Sequence, residues 1–186
     1  MGKIVGIVVL VLVALTALAG VGGYNTLVQR QEAVHESWGQ VENVLQRRYD
    51  LIPNLVNTVK GYAAHETKVL EEVTRLRSQW GAAKTDGDKL AAAQQLEGAL
   101  GRLMVVIERY PDLKANQNFL ALQDELAGTE NRIAVERRRY NETVKSYNTA
   151  VRGFPSNLIA GLTGFKTSFN YFEAAVEAKQ APQVQF

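Results

Sequence analysis

The apolar and polar positions divide this chain of 186 residues into a short uncharged segment and a long mixed one. From Ile4 to Gly23 the sequence reads IVGIVVLVLVALTALAGVGG, in which Thr16 carries the only polar side chain. Because an α-helix rises about 1.5 Å per residue, this segment would span roughly 30 Å, the thickness of the hydrocarbon core of a bilayer. The pattern predicts a membrane helix at residues 1–23, followed by a water-soluble part.

The apolar segment could be an uncleaved membrane anchor or a signal peptide that is removed from the mature protein. Ala17-Leu18-Ala19 is a pattern that a signal peptidase could cut. The apolar core of a signal peptide is only about 7–15 residues long, however, and this longer segment favours an uncleaved anchor. Lys3 precedes the segment, whereas Arg30 follows it beside Glu32 and Glu36. The positive-inside rule then favours a cytoplasmic N-terminus, with the domain on the outer face of the membrane.

Apolar residues recur every seven residues between Tyr24 and Trp80, as on one stripe of a helix. The two sets of positions are Trp38, Leu45, Ile52, Val59, Glu66, Val73 and Trp80, and then Val41, Arg48, Leu55, Tyr62, Val69 and Leu76. Pro53 interrupts this pattern, and proline usually kinks or ends a helix. The unchanged spacing favours one long kinked helix that could continue upward into the membrane segment. The alternative is a tight hairpin at Pro53, with Asp50 capping the second helix.

Two further long helices follow a polar loop near residue 85. The first is predicted over Lys89–Arg109 and ends at Tyr110-Pro111-Asp112. The second is predicted over Leu113–Arg152 and carries aromatic and aliphatic residues at a spacing of seven. These are Phe119, Leu126, Ile133, Tyr140 and Tyr147. Such a sustained stripe predicts packing against the first helix.

The chain changes character after Phe154-Pro155, which ends the third helix. Ser156–Phe165 is apolar and contains glycine, and Thr167–Ala178 is predicted to form a short amphipathic helix with Phe169, Phe172 and Val176 on its apolar face. Ala181–Phe186 is predicted to be extended or disordered. No pair of alternating segments joined by a hairpin turn is present, so the fold class is all-α. The predicted organisation is an anchor at 1–23, a helical bundle at 24–155 and a C-terminal part at 156–186.

Composition removes several classes of chemistry. Lys and Arg number 21 against 19 Asp and Glu, a balance that gives no reason to expect nucleic acid as a partner. The absence of cysteine excludes disulfides, thiolate metal sites and cysteine nucleophiles. His65-Glu66 lacks the second histidine that a zinc protease motif needs, because position 69 is Val69. Glu32-x-x-His35 lacks the second such unit of a di-iron bundle. We therefore expect no metal, no cofactor and no catalytic residue.

Four charged residues on or near the apolar stripes are the candidate functional positions. Arg48 and Glu66 lie on the first stripe, and Glu130 and Glu136 lie on the third helix. Arg48 and Glu66 are about 27 Å apart on one helix and cannot meet. Arg48 could instead pair across helices with Glu130 or Glu136, which would fix the helix register more than it adds net stability. The alternative is that Arg48 lies at the edge of the stripe with its guanidinium in water.

A short Tyr-Asn repeat occurs three times, each time with a valine four residues after the tyrosine. The copies begin at Tyr24, Tyr140 and Tyr147, and the last two are seven residues apart. A tyrosine on a helix stripe beside a polar neighbour recurs by helix geometry alone. That interpretation is favoured over a ligand-binding role.

Long ordered motifs make the chain resemble the LemA family of bacterial membrane-anchored helical proteins. They cover nearly the whole sequence: Tyr24-Asn25, Leu45–Val56, Val59–Tyr62, His65-Glu66, Tyr110–Asn116, Thr129–Ala134, Arg138–Asn141 and Phe154-Pro155. The resemblance implies a small antiparallel helix bundle on an N-terminal membrane helix, with no known enzymatic activity. It also implies a link, in some relatives, to specialised internal membranes or to membrane-bound metallopeptidases.

The expected function is that of a non-enzymatic, membrane-anchored helical scaffold that contacts lipid through its N-terminal helix and self-associates as a homo-oligomer. The long stripes and the apolar Ser156–Phe165 segment motivate it, because exposed apolar surface marks contacts with partners or membranes. The alternative is an accessory subunit that modulates a membrane peptidase or transporter, which would require a second membrane protein as partner.

Overall fold

The computed structural model describes residues 1–172, and this part of the chain is helical with no strand. Its helices are α1 (Gly2–Lys60), α2 (Thr67–Ala82), α3 (Asp86–Ile107), α4 (Pro111–Lys114), α5 (Gln117–Arg152) and α6 (Ser156–Thr163). The predicted all-α class, with a long apolar N-terminal helix followed by further helices, is confirmed.

The chain divides into two compact units. The first unit comprises Met1–Gly39 and Arg138–Tyr171. The second comprises Gln40–Arg137 and Phe172–Phe186, of which Phe172 is the last residue described. The core of the first unit is built from α1 and α5 and includes Leu27, Val34, Trp38, Tyr140, Val144, Tyr147 and Val151. The core of the second includes Tyr49, Ile52, Leu55, Leu76, Trp80, Leu96, Leu103, Phe119 and Ile133.

Helix α1 runs without interruption from the apolar segment into the water-soluble part. It contains Pro53 and ends at Lys60, followed by a turn before α2 begins at Thr67. The predicted passage of the first helix through Pro53 and its continuation into the apolar segment are therefore confirmed. Its extent to Trp80 is wrong, and so is the alternative hairpin at Pro53. The helix closes where the N–H groups of Tyr62 and Ala63 both donate to the Val59 carbonyl, at 3.0 and 2.8 Å. The turn lets α2 fold its apolar stripe back onto α1, which buries more surface than one extended helix could.

Two helix starts differ from the prediction because polar side chains cap them. The Thr85 hydroxyl oxygen accepts the Asp88 N–H at 3.1 Å, so α3 begins at Asp86 rather than at Lys89. The Asn116 side-chain oxygen likewise accepts the Phe119 N–H at 3.1 Å. Helix α5 therefore begins at Gln117, and the predicted start at Leu113 falls in the one-turn helix α4.

The C-terminal part is helical at a different place from the one predicted. The helix is α6, and Gly164 ends it in the left-handed conformation, with φ of 75°, that glycine adopts without strain. Residues 167–172 are not helical, so the predicted helix over Thr167–Ala178 is wrong there, although Phe169 and Phe172 are buried. Val176 and the rest of that prediction lie outside the described residues.

Candidate functional site

Arg48 and Glu130 form an ion pair inside the second unit. Arg48 Nη2 lies 2.6 Å from Glu130 Oε2, and the two side chains are 9% and 38% exposed. Glu130 is one of the two partners that the spacing had proposed for Arg48. The other, Glu136, is half-buried on α5. Because Arg48 is nearly enclosed while Glu130 reaches solvent, the pair lies at the margin of the core.

The pair belongs to a set of cross-helix contacts in the second unit. Arg137 Nη2 lies 2.9 Å from Glu97, Arg47 Nη2 lies 3.6 Å from Glu125, and Lys89 contacts Glu42. These contacts join α1 to α3 and α5, and α3 to α5. Sliding one of these helices along another would separate the charges of every one of these pairs.

Glu66 stands apart from that set. It lies just before α2, and its carboxylate contacts Arg109 Nη2 at 2.8 Å and accepts the Tyr110 hydroxyl at 3.1 Å. Nearby, the Asn116 side-chain N–H donates to the Tyr62 hydroxyl at 2.9 Å. The contacts of Glu66 therefore tie the α1–α2 turn to the α3–α4 turn.

A residue that the sequence did not single out completes α1 at Pro53. Proline has no N–H, so the carbonyl of Tyr49, four residues earlier, lacks its usual helical donor. Arg77 Nε on α2 donates to that carbonyl at 3.1 Å. The ring of Tyr49 stacks on that of Trp80, with centroids 4.1 Å apart. Arg77 thus replaces the hydrogen bond that Pro53 removes, which explains why α1 tolerates a central proline.

The Tyr49 phenol is buried beside positive charge. Its hydroxyl has no hydrogen-bond partner in the described part of the chain. Burial raises the pKa of Tyr49 above its usual range, against the opposing effect of the Arg48 and Arg137 guanidinium groups. The phenol is therefore neutral at physiological pH and contributes packing rather than proton transfer.

In the first unit, the Tyr-Asn repeats hold a non-helical segment, Phe165–Tyr171, which we name the strap. The Asn148 side chain donates to the Phe169 carbonyl at 3.0 Å and accepts the Phe169 N–H at 2.9 Å. The Tyr147 and Tyr140 hydroxyls donate to the carbonyls of Lys166 and Asn170, at 2.6 and 3.2 Å. Helix geometry explains the spacing of the repeat, and the tethering of the strap is a role that the sequence did not reveal.

The start of the strap and α6 both meet α1 at the end of its apolar segment. The rings of Tyr24 and Phe165 lie edge to face with centroids 5.4 Å apart. A Cβ placed on Gly23 would lie 2.5 Å from Ile159 Cδ1, so the side chain of Ile159 covers that glycine directly. The first unit therefore places α6 beside the last turn of the apolar segment.

Side chains that bind metals do not cluster among residues 1–172. No group of three or more His, Cys, Asp or Glu side chains there could hold a metal ion. His35 lies 3.9 Å from Glu32 with half of its side chain exposed, in the manner of a surface pair.

The second unit carries an open groove of about 360 Å³ between the end of α1 and the start of α2. It is lined by Val56, Lys60, Ala64, Thr67, Leu70, Glu71, Thr74 and Arg75.

Comparison with known proteins decides the family. The profile of the LemA family matches residues 37–186. The chain belongs to the LemA family. Among its relatives are two proteins of Paramagnetospirillum magneticum, strain AMB-1, called magnetosome proteins MamQ 1 and MamQ 2. Each is 31% identical over an alignment of 176 positions, with 81% of this chain and 64% of the relative covered.

A third LemA-family relative, protein LemA of Metamycoplasma hominis, is 27% identical over 143 residues, which cover 75% of this chain and 64% of the relative. The chain thus spans less than two thirds of the length of these curated relatives. Within residues 1–172, one helix, α1, is long and apolar enough to cross a membrane. The protein is a membrane-associated helical member of the LemA family.

Proposed function

We propose that this LemA-family protein is a non-catalytic scaffold, anchored in a bacterial membrane by the start of α1 and self-associating there. The observation that carries the proposal is the continuity of α1 over Gly2–Lys60. One helix contains both the exposed apolar segment and the first helix of the water-soluble part, with no loop between them. A joint of that kind suits a fixed support more than a mobile catalytic arm.

The use made of the polar groups supports a non-catalytic role. Arg48, Glu97 and Arg137 form ion pairs between helices, and Glu66 pairs with Arg109 between two turns. Asn148 hydrogen-bonds the strap through both its amide nitrogen and its amide oxygen. These groups hold helices and chain segments to one another. An enzyme site would need convergent groups aimed at a cleft instead.

Self-association is supported by the surface of the membrane segment. An added Cβ would meet no atom within 4 Å at Gly2, Gly6 or Gly20. Gly2 and Gly6 are four residues apart, as are Thr16 and Gly20. Small residues at that spacing let two membrane helices approach closely. Relatives that are named magnetosome proteins are consistent with a role at a membrane.

The test is the mass of the full-length chain, extracted in mild detergent, by native mass spectrometry at several concentrations. A homo-oligomer gives an integer multiple of 20.5 kDa. Replacing Gly6 and Gly20 together with leucine should lower that multiple, whereas the same change at Gly39 and Gly101, outside the apolar segment, should not. A mass of one chain at every concentration would refute self-association.

The open groove of the second unit favours a second candidate, an accessory subunit of a membrane peptidase or transporter. Its lining includes Val56, Ala64 and Leu70, and its size suits an apolar side chain of a partner. A photo-crosslinking residue at Thr74, on the groove, should then capture a second polypeptide that the same residue at Asn118 does not. Equal capture at both positions would count against this candidate.

The orientation belongs to the same proposal, with the water-soluble part on the outer face. The chain contains no cysteine, so a single Val105→Cys variant offers one reactive thiol on an exposed position. We expect a membrane-impermeant maleimide to label it in cells with intact inner membranes. Labelling only after lysis would place the domain in the cytoplasm and overturn the orientation.

A further inference from the structure

Helix α6 turns an apolar face away from the protein. Leu158 and Leu162 are four residues apart and so lie on one side of α6, and Phe154 lies in the turn that precedes the helix. Their exposed fractions are 57%, 88% and 84%. The opposite side carries Ala160, which is buried. A helix with its apolar stripe in solvent needs a partner to cover that stripe.

The position of α6 indicates what covers it. Ile159 of α6 lies on Gly23, the last residue of the apolar segment, and Phe165 lies against Tyr24, the next residue. Tyrosine is enriched where membrane helices leave the hydrocarbon, because its ring is apolar and its hydroxyl is polar. The exposed stripe of α6 is therefore continuous with the lipid-facing surface of α1 at the depth of the membrane–water boundary.

The charge around α6 fits a lipid surface as well. Residues 143–172 contain no Asp or Glu and carry three cations, Lys145, Arg152 and Lys166. The first acidic residue of α1 is Glu32, nine residues after Gly23. Anionic phospholipid headgroups attract cations placed near the surface, whereas an acidic side chain there would be repelled.

We infer that α6 is a second membrane contact of this protein: it lies along the bilayer interface and inserts Phe154, Leu158 and Leu162 among phospholipids, beside the point where α1 leaves the membrane. The strap follows Gly164 and is held to α5 by Asn148 and Tyr147. It therefore fixes the C-terminal end of α6. The protein thus contacts one leaflet at two places. This contact rests on the anchoring of α1 but is independent of self-association.

The experiment uses the full-length chain in vesicles of phosphatidylcholine with phosphatidylglycerol. Because the chain has no cysteine, nitroxide labels can be placed singly at Leu162→Cys, Val105→Cys and Leu18→Cys, all at positions at least 70% exposed. Oxygen concentrates in lipid and a nickel chelate in water, so the ratio of their effects on the nitroxide spectrum reports depth. Leu18 is the reference within the apolar segment and Val105 the reference in water.

We expect the Leu162 label to report a depth about 5–10 Å below the headgroups, as interfacial helices do. That depth is similar to the depth of Leu18, which lies five residues or about 7.5 Å inside Gly23, and is clearly separated from the Val105 reference in water. A chelate accessibility equal to that of the Val105 label would place α6 in water and overturn the inference. Protection from both reagents would mean that protein covers the stripe, which also overturns it. A Leu18 label outside lipid would show instead that the anchor has failed, and with it the proposed function.

A loss-of-contact variant gives a second reading. With the label at Phe154→Cys, the changes Leu158→Ser and Leu162→Ser remove the rest of the stripe. We expect the label to move toward the aqueous reference. The same pair of changes at Val105 and Leu120, which are exposed in the second unit, should leave its depth unchanged. An unmoved label in the α6 variant would contradict insertion by the stripe.

Discussion

The contact between Arg77 and the Tyr49 carbonyl can be tested by removing the donor. Arg77→Met keeps an unbranched side chain against the neighbouring helix but removes the N–H that lies 3.1 Å from that carbonyl. Pro53 cannot take over as donor, because its nitrogen carries no hydrogen. The variant therefore leaves a carbonyl in the middle of α1 without a protein donor.

The structure sets the size of the effect. A hydrogen bond from a charged donor contributes about 1.5–3 kcal/mol to the free energy of unfolding. Because Arg77 is half-buried and water can approach, we expect a loss at the lower end, about 1.5 kcal/mol. In a Pro53→Ala background the new N–H at position 53 can donate to Tyr49, so Arg77→Met should cost only about 0.5 kcal/mol. The coupling between the two sites is then about 1 kcal/mol.

The assay is urea unfolding of the four proteins of this cycle, full-length in detergent micelles and followed by tryptophan fluorescence. Trp38 and Trp80 are both buried and both lie outside the apolar segment, so the signal reports the water-soluble part. Arg75→Met, on an exposed position of α2, is the matched control and should change the free energy by less than about 0.5 kcal/mol. An equal loss from Arg77→Met with and without the Pro53→Ala change would refute the compensation.

The ion pair, the buried phenols and the strap each carry a further prediction. Arg48→Met should lower the free energy of unfolding by about 2 kcal/mol, a value between those of exposed and fully buried ion pairs. The loss should be smaller when Glu130→Gln is already present, and additive losses on urea unfolding would contradict the pair. Tyr49→Phe should cost under about 0.5 kcal/mol, whereas Tyr147→Phe loses a hydrogen bond and should cost about 1 kcal/mol; equal losses would contradict this difference. Because burial raises the folded-state pKa of Tyr49, the free energy of unfolding should fall as pH rises above about 10. The fall should be smaller in Tyr49→Phe, and identical pH profiles of the two proteins would show that the Tyr49 phenol does not contribute to it. Asn148→Ala should speed amide hydrogen exchange in the strap but not in α3, and unchanged strap exchange would refute the tether.

Periodicity predicted helices where α1, α3 and α5 lie but could not locate the turn after α1. The spacing of seven that links Val59 to Val73 is kept on both sides of the turn, so it resembles one helix. Ala63 and Ala64 are good helix formers, so Gly61 is the only residue of this turn that signals the end of a helix. Helix α1 ends where it does because packing α2 against it buries additional apolar surface. The periodicity of a single segment does not reveal that contact.

The candidate polar positions were recoverable only where the stripe itself marked them. Arg48 was visible as a charge at an apolar position, and Glu130 and Glu136 on the third helix were two candidate partners for it. Arg77 was not visible, because its role depends on a carbonyl 28 residues away that becomes available only once Pro53 is inside a helix. Long-range contacts to the backbone leave no trace in side-chain periodicity.

The strap has a consequence for how sequence change is tolerated in the first unit. The side chains of α5 hold the strap only through its main-chain atoms. Their hydrogen-bond partners are the carbonyls of Lys166 and Asn170 and both the N–H and the carbonyl of Phe169. Substitution at Lys166 or Asn170 leaves those atoms in place, so the tether itself does not depend on the side chain at either position. The tether residues Tyr147 and Asn148 have no such freedom. Selection for the tether should therefore act on the side chains of α5 rather than on the side chains of the strap residues whose carbonyls they bind.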